Sequence, residues 1–469
     1  MSAIGLELGL GALILAVFFV GLFGRRDDAR RAGVIAAVGL AVLLGAALRA
    51  EPAPPLFGGS FVQDELAVFA KRLFLLATLI AVVSSLTLRA PVFARRATEY
   101  YLAILTSLLG MMVLGSAREL ILLFVAFELM SIPLYVLAGF AKREPEAVEA
   151  ALKFFLVGTV SSALIAYGLS FVYGVTRTTD VAGIAQALPS GDPLLLLGLV
   201  LALAGLGFKI AAFPFHMWVP DTYEAASAPF VGWLSVAPKA AGFVVMFRLY
   251  LEGLGEGVLL WIPLAGGLAA ITIVAGNLMA IPQQNIKRML AYSGVAHIGY
   301  MLLGFAAVSQ NGTAMMLFYL VAYLFGNMGA FLVVEAVTQS EGSESIAAYR
   351  GLAQRSPLLA LSMLLFLLSL GGIPFVAGFW AKLFVFWAAA QQGLYWLVLL
   401  GAILTVVALF YYLLVAKRMY IDPPEKTEPV RVPFLLGLSI AGCVAGVVIL
   451  GIYPKPVVMA ALRVASTLF

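Results

Sequence analysis

The chain has 469 residues, 63% of them hydrophobic and 11% charged, with a mean hydropathy of +1.05. A water-soluble domain is about 45–50% apolar and about 25% charged, so this composition excludes a soluble enzyme and calls for a polytopic chain with lipid as its main solvent. One cysteine, Cys443, and two histidines give no disulfide framework, no cysteine-ligated cluster and too few ligands for an all-protein transition-metal site, and the formal charge of +5 marks loop lysines and arginines rather than nucleic-acid binding.

The first apolar stretch, 3–23, has no basic segment before it and arginines after it, which fits an uncleaved first helix better than a signal peptide. Stretches at 32–48, 68–88 and 98–116 follow, then 119–140, where FVAFELMSIPLY places Glu128 one turn ahead of Pro133. The span 147–173 carries Lys153 near its start, in EAALKFFLVG, with Glu149 one turn back. The long stretch 194–224 ends in GLGFKIAAFPFHMWVPDTYE, with Lys209 before Pro214 and with His216 between Pro214 and Pro220. In 229–250 the block SVAPKAAGF sets Lys239 directly after Pro238. Spans at 258–281, 290–308 (with His297) and 312–337 lead to a second long, interrupted stretch, 357–391, where LGGIPFVAGFWAKLF carries Pro374 and then Lys382. The span 393–416, a polar proline-containing loop from Lys417, and a last span at 432–452 complete an all-α polytopic membrane protein of about 14 transmembrane helices.

Few ionisable residues fall well inside these spans, and each costs about 2.5–3.5 kcal/mol at a helix centre unless it pairs or lines a hydrated interior. A lysine taken out of water favours its neutral form, and a nearby carboxylate restores the charge, so one amine and one carboxylate make a proton-exchanging switch. A helix proline frees the carbonyl four residues earlier. Pro214 therefore frees Ile210 beside Lys209, Pro133 frees Leu129 beside Glu128, and Pro238 frees Leu234. Lys209, Lys239 and Lys382 are read as hydrated, proton-exchanging points rather than as snorkelling side chains. For Lys153 a surface pair with Glu149 is the competing reading. His216 and His297 are either satisfied buried polar groups or proton relays.

Loops after odd-numbered spans carry the clusters Arg25, Arg26, Arg30 and Arg31; Arg89, Arg95 and Arg96; Lys287 and Arg288; and Lys417, Arg418, Lys426 and Arg431. That side holds about 17 basic residues against about 8 on the other, which puts both termini away from the cytoplasm. Spans four to eight and nine to thirteen form two groups of five, each with an interrupted fourth member. An odd number of spans inverts the second group relative to the first, a recurrent transporter design with the ion path at the breaks. The expected division is 1–97, three N-terminal helices; 98–252, the first repeat; 253–420, the second; and 421–469, a cytoplasmic loop and a C-terminal helix.

The blocks FELMSIPLYVLAGF, EAALKFFLVG, GLGFKIAAFPFHMWVPDTYE, SVAPKAAGF, GNLMAIPQQNIKRMLAYSGVAHIGYMLLG and GGIPFVAGFWAKLFVF, in that order over about 98–420, resemble the antiporter-like membrane subunits of respiratory complex I, the bacterial NADH–quinone oxidoreductase. Lys382 stands where the M-type branch carries Glu, and the chain lacks the extra C-terminal helices of the L-type branch, so the N-type branch is the nearest. In YEAASAPF the chain has Ala225 and Ala228 in a stretch where the family usually has a Gly and a Thr. The resemblance implies two inverted five-helix repeats, each with one broken helix. It also implies proton translocation driven by redox chemistry elsewhere, with neighbouring membrane subunits as partners. Flavin, iron–sulfur clusters and quinone belong to those partner subunits, and no cofactor is expected in this chain. The implied site residues are Glu128, Lys209, Lys239 and Lys382, with Lys153, His216 and His297 further along the polar axis. The expected location is a bacterial inner membrane, multi-pass, with both termini periplasmic. A subunit of a multi-subunit sodium/proton antiporter with the same fold is the alternative, and a non-conducting scaffold is opposed by the four buried charges.

Overall fold

The computed structural model describes residues 3–23, 29–187, 192–254 and 258–469. Arg25 and Arg26, counted above among the orienting cations, lie outside them. The helices in chain order are α1 (Gly5–Phe23), α2 (Ala29–Leu48), α3 (Glu65–Ser85), α4 (Pro91–Ser116), α5 (Leu120–Ala138), α6 (Pro145–Thr176), α7 (Val181–Ala187), α8 (Pro193–Ile210), α9 (Trp218–Ala225), α10 (Ala228–Leu234) and α11 (Ala237–Met246). They continue with α12 (Val258–Ala280), α13 (Ile286–Ala306), α14 (Gln310–Glu341), α15 (Leu352–Arg355), α16 (Pro357–Gly371), α17 (Ala377–Gln391), α18 (Tyr395–Tyr420), α19 (Phe434–Ile452) and α20 (Lys455–Ser466). A short antiparallel hairpin, β1 (Ala53–Leu56) with β2 (Phe61–Gln63), joins α2 to α3.

Local chemistry sets the boundaries. Asp64 caps α3 by accepting from the Ala67 amide, Asn285 caps α13 through the amides of Lys287 and Arg288, and Ser309 caps α14 through Gly312. Prolines open α4, α6 and α16, where their missing N–H is no loss. Among the described residues, 13 helices are long and apolar enough to cross a membrane. The remaining expected span, 357–391, is the pair α16 and α17, 15 residues each; a helix of that length reaches only about 22 Å and does not cross the hydrocarbon alone. The expected span 229–250 proves to be α10 and α11 in succession, running on into a π-helical turn, Phe247–Glu252. Large apolar side chains face outward on the outer helices, as with Val125 and Ile132 on α5 and Val406 and Phe410 on α18, whereas α13 and α14 are almost wholly buried.

The chain forms two compact units. The first comprises Met1–Ile210, Ala237–Pro263 and Arg463–Phe469, and the second Ala211–Val236 and Leu264–Leu462. In the first, α6 and α8 pack through glycines: a Cβ on Gly168 would sit 2.6 Å from the Gly198 carbonyl oxygen, so the backbones touch as membrane helices with small residues do. Arg248 there holds Asp64 at 2.6 and 2.8 Å and Glu252 at 2.5 Å, and Arg118 reaches Glu252 at 3.0 Å. Burial would raise the Asp64 carboxyl, but the Arg248 and Arg118 guanidiniums outweigh it and hold the group below its ordinary value. In the second unit, Arg288 ties Asp221 (2.9 Å) and Glu224 (2.7 Å) to the start of α13.

Candidate functional site

The first break follows α8. Lys209 is the penultimate residue of that helix and is buried; Ala211 then takes a left-handed φ of 67°, and Phe213–Pro214 is a cis peptide. The second break follows α16, which ends at Gly371; Gly372 (φ 80°) and Phe375 (φ 73°) are left-handed before α17 starts at Ala377. Each break thus contains a side-chain-bearing residue with positive φ, a conformation costing about 1–3 kcal/mol. Each also sets an ammonium at a helix C-terminus. Lys209 lies in the last turn of α8, and Lys382 Nζ donates to the Gly371 carbonyl, at the end of α16, at 3.3 Å. The partial negative charge of a helix C-terminus stabilises a cation there.

In the first unit, Lys209 Nζ donates to Ser131 Oγ at 2.7 Å and stands 5.1 Å from the centre of the Phe127 ring. Ser131 in turn donates to the Phe127 carbonyl at 2.6 Å. Glu128, half-buried and one turn before Ser131, accepts a hydrogen bond from Ser162 on α6. Among the described residues no ion pair joins Glu128 to Lys209. The carboxylate and the amine are each held by a serine, on α5 and α6 respectively for the amine and the acid. Pro133 sits inside α5 next to this pair, and Ser107 donates to the nearby Met130 carbonyl at 2.7 Å. Lys239 is buried in α11, and Gly242, one turn further along, packs on the Lys209 stem: a Cβ there would lie 3.5 Å from Lys209 Cγ.

In the second unit, His297 Nδ1 is 2.8 Å from Tyr319 Oη and its Nε2 is 3.2 Å from Tyr412 Oη. Tyr412 also meets Ser293 Oγ at 2.5 Å, and its ring centre lies 4.5 Å from that of Tyr411. Tyr411 donates to Asn277 Oδ1 at 3.1 Å, and Asn277 donates to Tyr300 Oη at 3.3 Å. The Lys382 ammonium stands 4.8 Å from the Tyr300 ring centre. One hydrogen-bonded run therefore joins Tyr319, His297, Tyr412 and Ser293, and a second joins Tyr411, Asn277 and Tyr300; the two meet at the ring contact of Tyr411 with Tyr412, and Lys382 stands over the Tyr300 ring.

Glu128, Lys209 and Lys239 fall together in the first unit, and His297 and Lys382 in the second. His216 also belongs to the second; it is buried in the first break, its ring 5.1 Å from that of Phe213 and 6.1 Å from that of Tyr292. Lys153 stands apart on the exposed face of α6, paired with Glu149 at 2.7 Å. Ser131, Ser162, Asn277, Tyr300, Tyr319, Tyr411 and Tyr412 were not singled out by sequence. The spacing of Ser293, His297 and Tyr300 in YSGVAHIGY, three to four apart on one helix face, is the signal that points to part of them. Among the described residues no group of three or more His, Cys, Asp or Glu could hold a metal ion.

Residues 117–408 match a family profile described as NADH:quinone oxidoreductase/Mrp antiporter, transmembrane. NADH-quinone oxidoreductase subunit N of Moorella thermoacetica is 42% identical over 99% of this chain and 98% of its own length. NAD(P)H-quinone oxidoreductase subunit 2 of a Synechocystis species is 40% identical over 89% of this chain and 81% of its own. A chain of respiratory complex I from Thermus thermophilus, solved with bound aureothin, superposes with a TM-score of 0.83 at 33% identity, covering 97% of this chain and 98% of that one. A chain of the Mrp complex from a Dietzia species reaches 0.89 at 20% identity, with 99% and 97% covered, which is a likeness of fold alone.

Proposed function

We infer the function from one premise: the chain belongs to the family of NADH:quinone oxidoreductase and Mrp antiporter transmembrane subunits. Within that family it is the N-type proton-translocating membrane subunit of a respiratory NADH–quinone oxidoreductase, and its partners are the other membrane subunits of that complex. The sodium/proton antiporter reading is the weaker one, because the Mrp likeness lies at 20% identity whereas subunit N relatives match at about 40% over nearly their whole length. Oxidation of the electron donor and reduction of quinone take place on partner subunits; this chain moves the proton.

The observation that carries the reading is the placement of two buried ammonium groups, Lys209 and Lys382, at the C-terminal ends of two interrupted helices. Lys209 is the loading point. Approach of the Glu128 carboxylate stabilises the ammonium, and its withdrawal to Ser162 leaves the amine on Ser131, free to pass its proton on. Lys239 is the next acceptor in the first unit, and Gly242 permits the close approach of its helix to Ile210, the neighbour of Lys209, where a Cβ would lie 2.8 Å from Ile210 Cγ2. In the second unit His297 and the tyrosine ladder serve Lys382, with His216 as a relay in the first break. Lys153, paired with Glu149, contributes at the edge of this axis. The two groups of five spans, 98–252 and 253–420, are inverted repeats, and the chain lies in a bacterial inner membrane with both termini periplasmic.

The deciding experiment is the subunit composition of the complex after mild solubilisation. Co-purification with flavin- and iron–sulfur-containing subunits is expected. Recovery with cation/proton antiporter subunits alone would favour the other branch.

A further inference from the structure

We propose that the C-terminal half of α14 is a water-bearing proton-uptake path into the second unit, with Glu335 as the carboxylate that collects the proton; this rests on the proton-translocating reading above. Glu335 is only 8% exposed and lies inside a membrane-spanning helix. Its partners are the Gln339 side-chain amide at 2.7 Å and the Ala228 backbone. Among the described residues no lysine or arginine pairs with it; Lys287 spends its ammonium on Glu344 at 2.5 Å and on the carbonyls of Glu224 and Ala226. An intramembrane carboxylate whose hydrogen bonds come from neutral donors, with the Lys287 charge nearby but bonded elsewhere, is an expensive arrangement.

Its position gives it a use. Toward the helix end, Glu341 pairs with Arg355 (2.6 Å) and with Lys426 (2.8 Å) of the 421–433 loop, which is the cytoplasmic side in the proposed orientation. Glu335 lies six residues further in, about 9 Å along the axis at the rise of an α-helix. Counting inward by fours on the same face gives Phe331, Asn327, Tyr323 and Tyr319, and Tyr319 is the residue bonded to His297. Asn327 donates to Ser235 at 2.6 Å, yet its Oδ1 has no protein partner, and neither has Tyr323 Oη; Thr338 Oγ1 on α14 and Thr222 Oγ1 on α9 share that condition. All four atoms are buried, and buried polar atoms without protein partners are served by internal water. Phe331, with Tyr223 against its ring at 5.7 Å, is the single apolar step between Glu335 and Asn327. Hydrated groups before and after it connect the acidic helix end to the His297 ladder.

The test uses the intact complex in proteoliposomes and compares Glu335→Gln, Glu335→Asp and Lys209→Ala for proton pumping and quinone reduction. Glu335→Gln keeps the size and loses the proton; it should slow coupled pumping about a hundredfold, the low end of what a positioned acid–base group contributes. Azide or formate should restore much of the rate through the hydrated path, and Glu335→Asp should stay close to wild type. A slowed Glu335→Gln complex that azide and formate do not rescue means a structural role and overturns the proposal, as does unchanged pumping. If Lys209→Ala stops pumping while Glu335→Gln does not, only this inference is lost; if neither affects it, the translocation reading has failed as well. Should Glu335→Gln not assemble, the wild-type complex decides: a hydrophobic carbodiimide should modify Glu335, located by peptide mass spectrometry, and an unmodified Glu335 refutes the proposal.

Discussion

Ser131→Ala removes the only protein hydrogen-bond acceptor that the Lys209 ammonium has among the described residues, at 2.7 Å. A hydrogen bond to a charged group contributes about 1.5–3 kcal/mol, and about 1.4 kcal/mol is a factor of ten. The Phe127 ring, 5.1 Å away, remains and contributes about 0.5–2 kcal/mol whether or not Ser131 is present, so it does not compensate. The protonated form of Lys209 should therefore lose roughly ten- to hundredfold in population relative to the neutral form at the same stage of the cycle. Pumping that passes through that ammonium should slow by a similar factor, with quinone reduction slowing in step because the two are coupled. Ser131→Thr keeps the hydroxyl and should retain most of the rate. The assay is fluorescent-dye quenching in proteoliposomes alongside quinone reduction, on complexes checked for full subunit content. Wild-type pumping by a fully assembled Ser131→Ala complex would show that the serine does not hold the working ammonium.

Three further outcomes are expected. Glu128→Gln and Lys209→Ala should each impair pumping strongly, and the double variant should be little worse than either, because groups that act as a unit are non-additive; independent multiplication of the two losses in vesicle assays would separate them. Cysteines at Ser466 and Thr427, both exposed, should be labelled by a membrane-impermeant maleimide from the periplasmic and the cytoplasmic side respectively, and the reverse pattern would overturn the orientation. Asp64, whose carboxyl is held low by Arg248 and Arg118 against its burial, contributes stability that is complete above the unfolded carboxylate value of about 3.9 and is lost as pH falls through the lower folded value. The solubilised wild-type complex should lose thermal stability over that acid range, and Asp64→Asn should be less stable at neutral pH with a flatter dependence; identical pH profiles for the two would remove Asp64 from the account.

The parts of this fold legible in the sequence are those where lipid makes a residue costly. Lys209, Lys239 and Lys382 stand out because each interrupts an apolar run, and Pro214 and the Gly371–Pro374 stretch mark the breaks because they cannot continue a helix. The surface pairing of Lys153 was readable from Glu149 one turn back. The division of 229–250 into α10 and α11 was not, because its apolar run is unbroken apart from Pro238, which a first helical turn accepts. The short amphipathic α20 was hidden by its length, and the hairpin 53–63 by its prolines and glycines. The tyrosine ladder was out of reach for a different reason: its bonds join residues as far apart as Asn277 and Tyr411, 134 positions, and a tyrosine in a buried helix carries no mark of its partner. The two serines that hold Glu128 and Lys209 are likewise ordinary in sequence and become informative only through their neighbours.

In the proposed function Lys209 is the group on which loading, switching and transfer all converge, so proton pumping by the assembled complex with Lys209 replaced tests the account most directly. Lys209→Ala should lose pumping and coupled quinone reduction together. Lys209→Arg should fail as well, because a guanidinium keeps the charge and cannot release its proton. Pumping at the wild-type rate by either complex, with all subunits present, would contradict the account.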